Sequence, residues 1–270
     1  MEAPIQALPV VVGAAAYAGR VRTLRTRAPE RAPAARVQAW FWAGVVVLLA
    51  APLLPDQERF WIHMVEHLLL GDIAPLLIVL GLTGPVLRPL LAAPGIGRLR
   101  VLAHPFVALP LWLLNLYVWH LSGPYEAALR HDALHAVAHL LFFSTGALMW
   151  AAVIEPLPGP AWFGSGWKAA YTLVVRVLGM VLANVLIWAS HPFYPSYGTG
   201  VWDQRTGGLI MFTEGGIVTL VVFGVLFIGW TREAELRQQR IDAGLAPRPR
   251  PPRARARRPR SPSARGKHAG

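Results

Sequence analysis

Histidines at helical spacing are the residues in this sequence best suited to do chemistry. His63 and His67 lie four residues apart, and His131, His135 and His139 repeat that spacing twice. In a helix, each step of four residues turns the side chain by only about 40°, so each set is expected to line one face. Neutral imidazole suits copper, zinc or haem iron. The spacing therefore predicts a metal or cofactor site.

The chemistry of such a site is narrowed by the absence of cysteine. Disulfides, iron–sulfur clusters, thiolate zinc sites, cysteine nucleophiles and covalently attached haem are all excluded. Histidine, methionine, carboxylate and backbone groups remain as ligands. Met64 and Met211 are expected near the histidines in the folded bundle and slightly favour monovalent copper, although five methionines in 270 residues do not make a methionine-rich site.

The candidate ligands lie at two depths. Each depth is measured along the predicted helix from the end that is expected to face the outside of the membrane. Roughly 9–10 Å below the outer surface are His67, His139, Glu66 and Glu214, and roughly 3–5 Å below it are His63, His135 and Met211. The primary predicted metal ligands are His63, His67, His135 and His139. The secondary candidates are His120, His131, His191, Glu66, Glu214 and Met211. A helical bundle that brings together the segments 60–82, 133–154 and 208–230 would assemble this site.

The composition indicates which elements position these residues. Hydrophobic residues make up 54% of the chain and charged residues 15%, with a mean hydropathy of +0.42. Average soluble proteins are about 25% charged. We therefore predict an all-α polytopic membrane bundle. Its seven transmembrane helices are expected at 4–20, 37–55, 60–82, 104–121, 133–154, 168–190 and 208–230.

The distribution of Lys and Arg predicts the orientation of these spans. The odd-numbered loops and the C-terminal segment hold 22 of them, whereas the even-numbered loops hold only Arg59, Arg130 and Arg205. By the positive-inside rule, the N-terminus is expected outside and the C-terminus in the cytoplasm. Seven of the histidines then lie on the outer side, whereas His104 lies at the inner end of the fourth span.

Two domains are expected, a membrane domain over 1–230 and a basic tail over 231–270. The tail is rich in Pro and Arg from Pro247 to Arg260, which predicts disorder. Contact with anionic lipid headgroups is its expected role, and nucleic acid is not an expected partner.

Asp72 and Arg176 are two charges predicted near the middle of the bilayer, roughly 18 and 21 Å below the outer surface. Because a lone charge there is costly, we expect them to pair. The alternative is a protonated Asp72 with Arg176 extended towards the inner surface. Asp72 lies about 180° around an ideal helix from His63, so no direct role at the metal site is expected for it.

Three ordered sequence blocks resemble the CtaG-type cytochrome c oxidase assembly factors. Residues 61–70, W-I-H-M-V-E-H-L-L-L, followed by A-P-L-L at 74–77 and Gly81, are similar to the H-M-x-x-H-L-L signature of that family. The second block comprises W-H at 119–120, P-Y-E-A-A-L at 124–129 and H-A-x-x-H-L-L-F at 135–142. The third is Q-x-x-G-G-L-I-M at 204–211. Glu66 stands where the family more often has Gln.

This resemblance implies a polytopic bacterial inner-membrane protein, not an enzyme, that is required to make an active haem–copper oxidase. Copper delivery at the outer face is the suspected role, with an oxidase subunit or a copper chaperone as the partner. Three alternatives stay open at this point. They are a b-haem-binding oxidoreductase, a metal or proton transporter, and a scaffold for oxidase subunits whose histidines bind no metal.

Overall fold

The computed structural model describes residues 3–55, 58–93 and 96–243, and the regular structure in these ranges is entirely helical. The α-helices in these ranges are α1 (Ala3–Arg27), α2 (Ala35–Ala50), α3 (Phe60–Leu68), α4 (Ala74–Gly81), α5 (Gly84–Ala92), α6 (Pro105–Trp119), α7 (Ser122–Arg130), α8 (Asp132–Ile154), α9 (Ser165–Trp188) and α10 (Val201–Asp242). Short 3₁₀ turns cover Pro29–Arg31, Ala51–Leu53, Ile96–Ala103 and Pro195–Tyr197. The predicted all-α class is confirmed for this part of the chain.

Five helical segments of the described chain are long and apolar enough to cross a membrane. They are Ala35–Leu53, Phe60–Gly81, α8, α9 and α10, and a sixth results if the bent pair α6 and α7 forms one span. The predicted first span lies in α1, which has four arginines in its last eight residues and is not among them. The structure thus supports a membrane protein with five or six spans, and the seventh span stays a prediction.

The predicted span at 104–121 takes a different form in the structure. Helix α6 has only 15 residues, and the axis bends by 73° before α7 begins. A straight span needs about 20 residues. The break falls at His120 and Leu121, immediately before a Ser-Gly-Pro sequence that restarts the helix. His120 therefore lies at a corner of the chain.

A π-helical segment, Leu69–Ile73, joins α3 to α4 and makes Phe60–Gly81 one continuous helix. Because a π-helix bonds residue i to i+5, it shifts the faces on which later side chains project. Gly71 in this segment packs against Phe142 of α8, and a Cβ at Gly146 would overlap the Gly71 carbonyl oxygen. The two helices cross this closely because both positions lack a side chain.

Helix α8 buries one face in the core of the bundle, and its opposite face and those of other helices expose apolar side chains. Met149 and Trp150 are fully buried and pack with Ala108 of α6 and Val175 of α9. Large apolar residues on the outside include Leu140, Val177, Val181, Val185, Leu220 and Val225. An exposed apolar surface of this kind is expected where helices face lipid.

Residue contacts divide the chain into two compact units, 1–230 and 231–270. Within the second unit, Thr231–Asp242 is helical, which corrects the expectation of disorder from residue 231 onwards. The reason is composition, because this stretch is rich in Glu, Arg, Gln and Leu, which favour helices. The Pro/Arg-rich part of the predicted tail, 247–260, lies outside the described residues.

Candidate metal centre

Three of the four primary candidates meet in the folded chain. His63, His67 and His135 each offer a ligand atom, and these three atoms lie within 4.8 Å of one another. All three side chains are buried. The ring centroids of His63 and His135 are 5.2 Å apart and nearly parallel, and those of His63 and His67 are 4.1 Å apart. Because a metal binds each imidazole nitrogen at about 2.0–2.1 Å, the three atoms must move closer together to share one ion.

Two helices build this histidine triad, as their spacing predicted. The i, i+4 pair of α3 faces the i, i+4 pair of α8, so each stripe points into the bundle. Two aromatic rings that the sequence analysis did not single out pack against the triad. Tyr125 lies 5.1 Å from His63, and Phe142 lies 4.5 Å from His67. Tyr125 belongs to the second sequence block, and Phe142 is three residues after His139, on the same face of α8.

His139, the fourth primary candidate, lies beside the triad and not within it. Its ring centroid is 4.2 Å from that of His135, while its Nδ1 lies 3.8 Å from Oε1 of Glu66. The Glu66 side chain is almost fully buried. In its ionised form, this carboxylate would place a negative charge next to the imidazoles, which is how second-shell groups support histidine ligands.

His120 approaches the triad from the corner between α6 and α7. Its ring centroid is 6.3 Å from that of His67. Nδ1 lies 2.7 Å from the carbonyl oxygen of Leu116. Because a carbonyl can only accept, Nδ1 carries the hydrogen and Nε2 carries the lone pair. His120 is thus held in the tautomer that suits a metal ligand.

His131 and His191 do not join the cluster. Both are exposed. His131 lies at the N-terminal boundary of α8, and the ring of His191 contacts Ser190 and Phe193. The i, i+8 alignment of His131 with His139 requires the helix to include His131, but α8 begins at Asp132 with His131 in an extended conformation. Neither is therefore placed to bind with the triad.

Glu214 and Met211 lie farther from the start of their helix than the predicted span implies. Helix α10 begins at Val201, not at Gly208, so Glu214 is roughly 20 Å along the helix by its rise. Glu214 Oε2 is 3.8 Å from Nη1 of Arg176. Glu214 therefore belongs with the buried charges near the middle of the bundle and not with the triad.

The predicted pair of Asp72 and Arg176 is confirmed. Nη2 of Arg176 donates to Asp72 Oδ1 at 3.0 Å, and Nη1 contacts Oδ2. Trp150, which the sequence analysis did not identify, donates from Nε1 to Asp72 at 2.7 Å, and the Arg176 guanidinium lies 5.1 Å from its ring centroid. Trp150 is eleven residues, three helical turns, after His139, so helical spacing already placed it on the same face of α8.

A cavity of about 70 Å³ connects the two groups of polar residues. Its wall includes His67 and His120 at one side and Asp72, Arg176 and Glu214 at the other. Asp72 is expected to lie opposite His63, which is not part of this wall, and it shares the wall with His67 instead. Asp72 follows His67 by five residues, and the intervening π-helical turn brings residues i and i+5 to the same side.

Comparison with known proteins shows a match to one protein family. Residues 15–233 match the family described as cytochrome c oxidase caa3 assembly factor (Caa3_CtaG). The chain belongs to this assembly factor family. The histidine triad, His120, the buried charges and the cavity between them all lie inside the matched range. The resemblance drawn from the three sequence blocks is thereby confirmed.

Individual relatives of this assembly factor are more distant. An uncharacterized protein of Mycobacterium leprae is 26% identical over 262 residues, covering 85% of this chain and 39% of the relative. Uncharacterized proteins of Mycobacterium bovis and Mycobacterium tuberculosis are each 24% identical, covering 83% of this chain and 38% of the relative. The chain thus spans less than two fifths of these proteins. No solved structure matches it significantly.

A loop of the assembly factor, residues 189–200, covers the histidine end of the bundle. Tyr194 donates from its hydroxyl to the His120 carbonyl at 2.7 Å and stacks on Phe60 at 4.9 Å. Burial raises the pKa of Tyr194, so its hydroxyl stays protonated and remains a donor. Asp203 accepts from the Phe60 backbone N–H at 2.8 Å, which caps the start of α3. The loop and the first turn of α10 thereby contact the end of α6 at His120 and the start of α3, which carries His63 and His67.

Proposed function

We propose that this caa3 assembly factor binds copper through His63, His67 and His135 and passes it on during oxidase assembly. The proposal rests on one main observation, which is that three buried imidazoles lie close together in a chain without cysteine. Imidazole is a good copper ligand, and three nitrogens leave a coordination position open. An incoming ligand from a recipient can use that position.

The surroundings of the triad suit transient binding. His139 and His120 lie next to triad members, so more imidazoles are present than one ion needs. A copper ion can therefore exchange one histidine for another without passing through a bare state. Glu66 adds a negative charge that favours the cation over an empty site. Such a site stores and releases metal and does not need to catalyse a reaction.

In this proposal the protein has seven spans, with its N-terminus outside and its C-terminus in the cytoplasm of a bacterial cell. The triad then lies towards the outer face of the cell membrane, beneath the loop 189–200. The recipient is an oxidase subunit or a copper chaperone that presents its own ligands there. The basic C-terminal segment contacts anionic lipid headgroups on the cytoplasmic side.

Haem, with its large macrocycle, fits this site less well than a single metal ion does. Pockets that hold organic ligands measure about 300–1,000 Å³, far more than the cavity next to the triad. The stacked rings of His63 and His135, 5.2 Å apart, also leave little space for a macrocycle between them. A Soret absorbance in the purified protein would favour the oxidoreductase alternative and reject the copper proposal.

The deciding experiment measures copper in the purified full chain. We expect one ion per chain at the triad, and loss of stoichiometric binding in the His63→Ala/His135→Ala variant when Cu(II) is offered. His131→Ala/His191→Ala is the matched control, because it removes two histidines that lie outside the cluster. In cells, the first variant should lose active caa3 oxidase and the control should retain it. Equal copper binding by both variants would reject the triad.

A further inference from the structure

Thioether groups collect around the cavity next to the triad. Met64, Met180 and Met211 line it, and they are three of the five methionines in the chain. Met64 is almost fully buried. His67 and His120 line the same space. A mixture of imidazole and thioether ligands suits monovalent copper better than divalent copper or zinc.

Ring nitrogens of the imidazoles at this cavity are available as metal ligands. Within the described part of the chain, both ring nitrogens of His67 and Nε2 of His120 are buried without a hydrogen-bond partner. Buried polar atoms are normally bonded, so these nitrogens need an explanation. The bond from His120 Nδ1 to Leu116 directs the lone pair of its ring to Nε2. A bound cation would satisfy these atoms.

The size of the cavity also favours a small cation. A volume of about 70 Å³ accommodates an ion and excludes an organic ligand. An ion lies about 2.0–2.1 Å from each imidazole nitrogen, so it can be shared by His67 and His120, whose ring centroids are 6.3 Å apart.

From these observations we infer that the cavity is a second, inner position for monovalent copper, held by His67 and His120 with the thioethers of Met64 and Met211. This inference rests on the proposed function and extends it. His67 belongs to both positions, since it is a member of the triad and also lines the cavity. It is the residue through which the ion moves between them.

The movement is a ligand exchange without electron transfer. Copper stays monovalent while its bonds to His63 and His135 break and bonds to His120 and a thioether form. The His67 side chain remains bound throughout. Copper held inside is shielded from oxidation, and copper at the triad is accessible to a recipient. The two positions thus separate storage from delivery.

X-ray absorption of the full chain loaded with Cu(I) in detergent tests the inner position directly. Because the chain has no cysteine, a copper–sulfur shell can arise only from methionine. We expect such a shell in the wild type and its loss in Met64→Leu/Met211→Leu. The matched control is Met149→Leu, a buried methionine that packs in the core away from the cavity and should keep the shell.

Histidine variants separate the two positions. His63→Ala/His135→Ala should still bind Cu(I) with the sulfur shell, whereas His120→Ala should bind Cu(I) at the triad through nitrogen alone. A wild-type spectrum without sulfur, or a sulfur shell that persists when Met180→Leu is added to Met64→Leu/Met211→Leu, overturns the inner position and leaves the triad proposal standing. Absence of all copper binding overturns both.

Discussion

Arg176 forms a two-pronged ion pair with Asp72 in the interior of the bundle, about a hundred residues away along the chain. The pair joins α9 to the π-helical segment between α3 and α4. Trp150 of α8 and Glu214 of α10 add a hydrogen bond and a second carboxylate. Four helical segments of the described chain thus converge on one buried guanidinium.

Breaking this pair from one side should destabilise the protein strongly. Asp72→Asn leaves the Arg176 charge without its main partner, and removing one member of a buried pair typically costs about 3–5 kcal/mol. Thermal unfolding in detergent measures the loss. Asp72→Asn combined with Arg176→Leu should recover part of it, since no cation is then stranded.

The control for this double-mutant experiment is the ion pair of Lys168 and Glu155, whose charged atoms are 2.8 Å apart and partly exposed. Lys168→Met should cost only about 0–1 kcal/mol, because water already screens that pair. Strictly additive losses for the Asp72 and Arg176 variants would show that the two side chains do not stabilise each other.

Close packing at Gly146 predicts a second sensitive position. A methyl group there meets the Gly71 carbonyl oxygen and Pro75, so Gly146→Ala should force α8 away from the π-helical segment. We expect a cost of about 1–3 kcal/mol, as for other overpacked cores. Gly224→Ala is the control, because a Cβ at this helical glycine has nothing within 4 Å. Equal melting temperatures of the two variants would contradict the close crossing.

The buried carboxylate of Glu66 should strengthen copper binding without being required for it. Glu66→Gln keeps the shape of the side chain but removes the charge next to His139. Changes in second-shell groups cost about 10–100-fold in metal affinity, and we expect the lower end because the ligands remain. Titration against a copper chelator measures the change. Glu126→Gln, near Ser196 in the loop region, serves as the control and should leave the affinity unaltered.

The proposed orientation can be tested with a reporter that is active only outside the cytoplasm. Inserted after Gly198, in the loop that covers the triad, it should be active. Inserted after Ala93, at the opposite end of the Phe60–Gly81 helix and beyond α5, it should be silent. The reverse result would place the histidine triad on the cytoplasmic side and reject delivery at the outer face.

Much of the architecture could be predicted because it depends on local patterns. Apolar runs of about 20 residues and the i, i+4 spacing of His63 with His67 and of His135 with His139 are properties of single helices. The cost of a charge in lipid also sufficed to predict that Asp72 and Arg176 pair, without knowledge of the contact itself.

Tertiary structure decided which side chains lie next to one another wherever this depends on helix register or on where a helix begins and ends. The π-helical turn at Leu69–Ile73 brings Asp72 to the side of His67, although an ideal helix would separate them. The start of α10 at Val201 moves Glu214 to Arg176, and the break after Trp119 turns His120 towards the cavity. The residue types alone did not specify these shifts, because apolar patterns locate helices but do not fix their exact ends or their π-helical turns. The amino-acid sequence therefore determined the class of protein and the stripes of possible ligands, whereas folding selected His63, His67 and His135 as the triad.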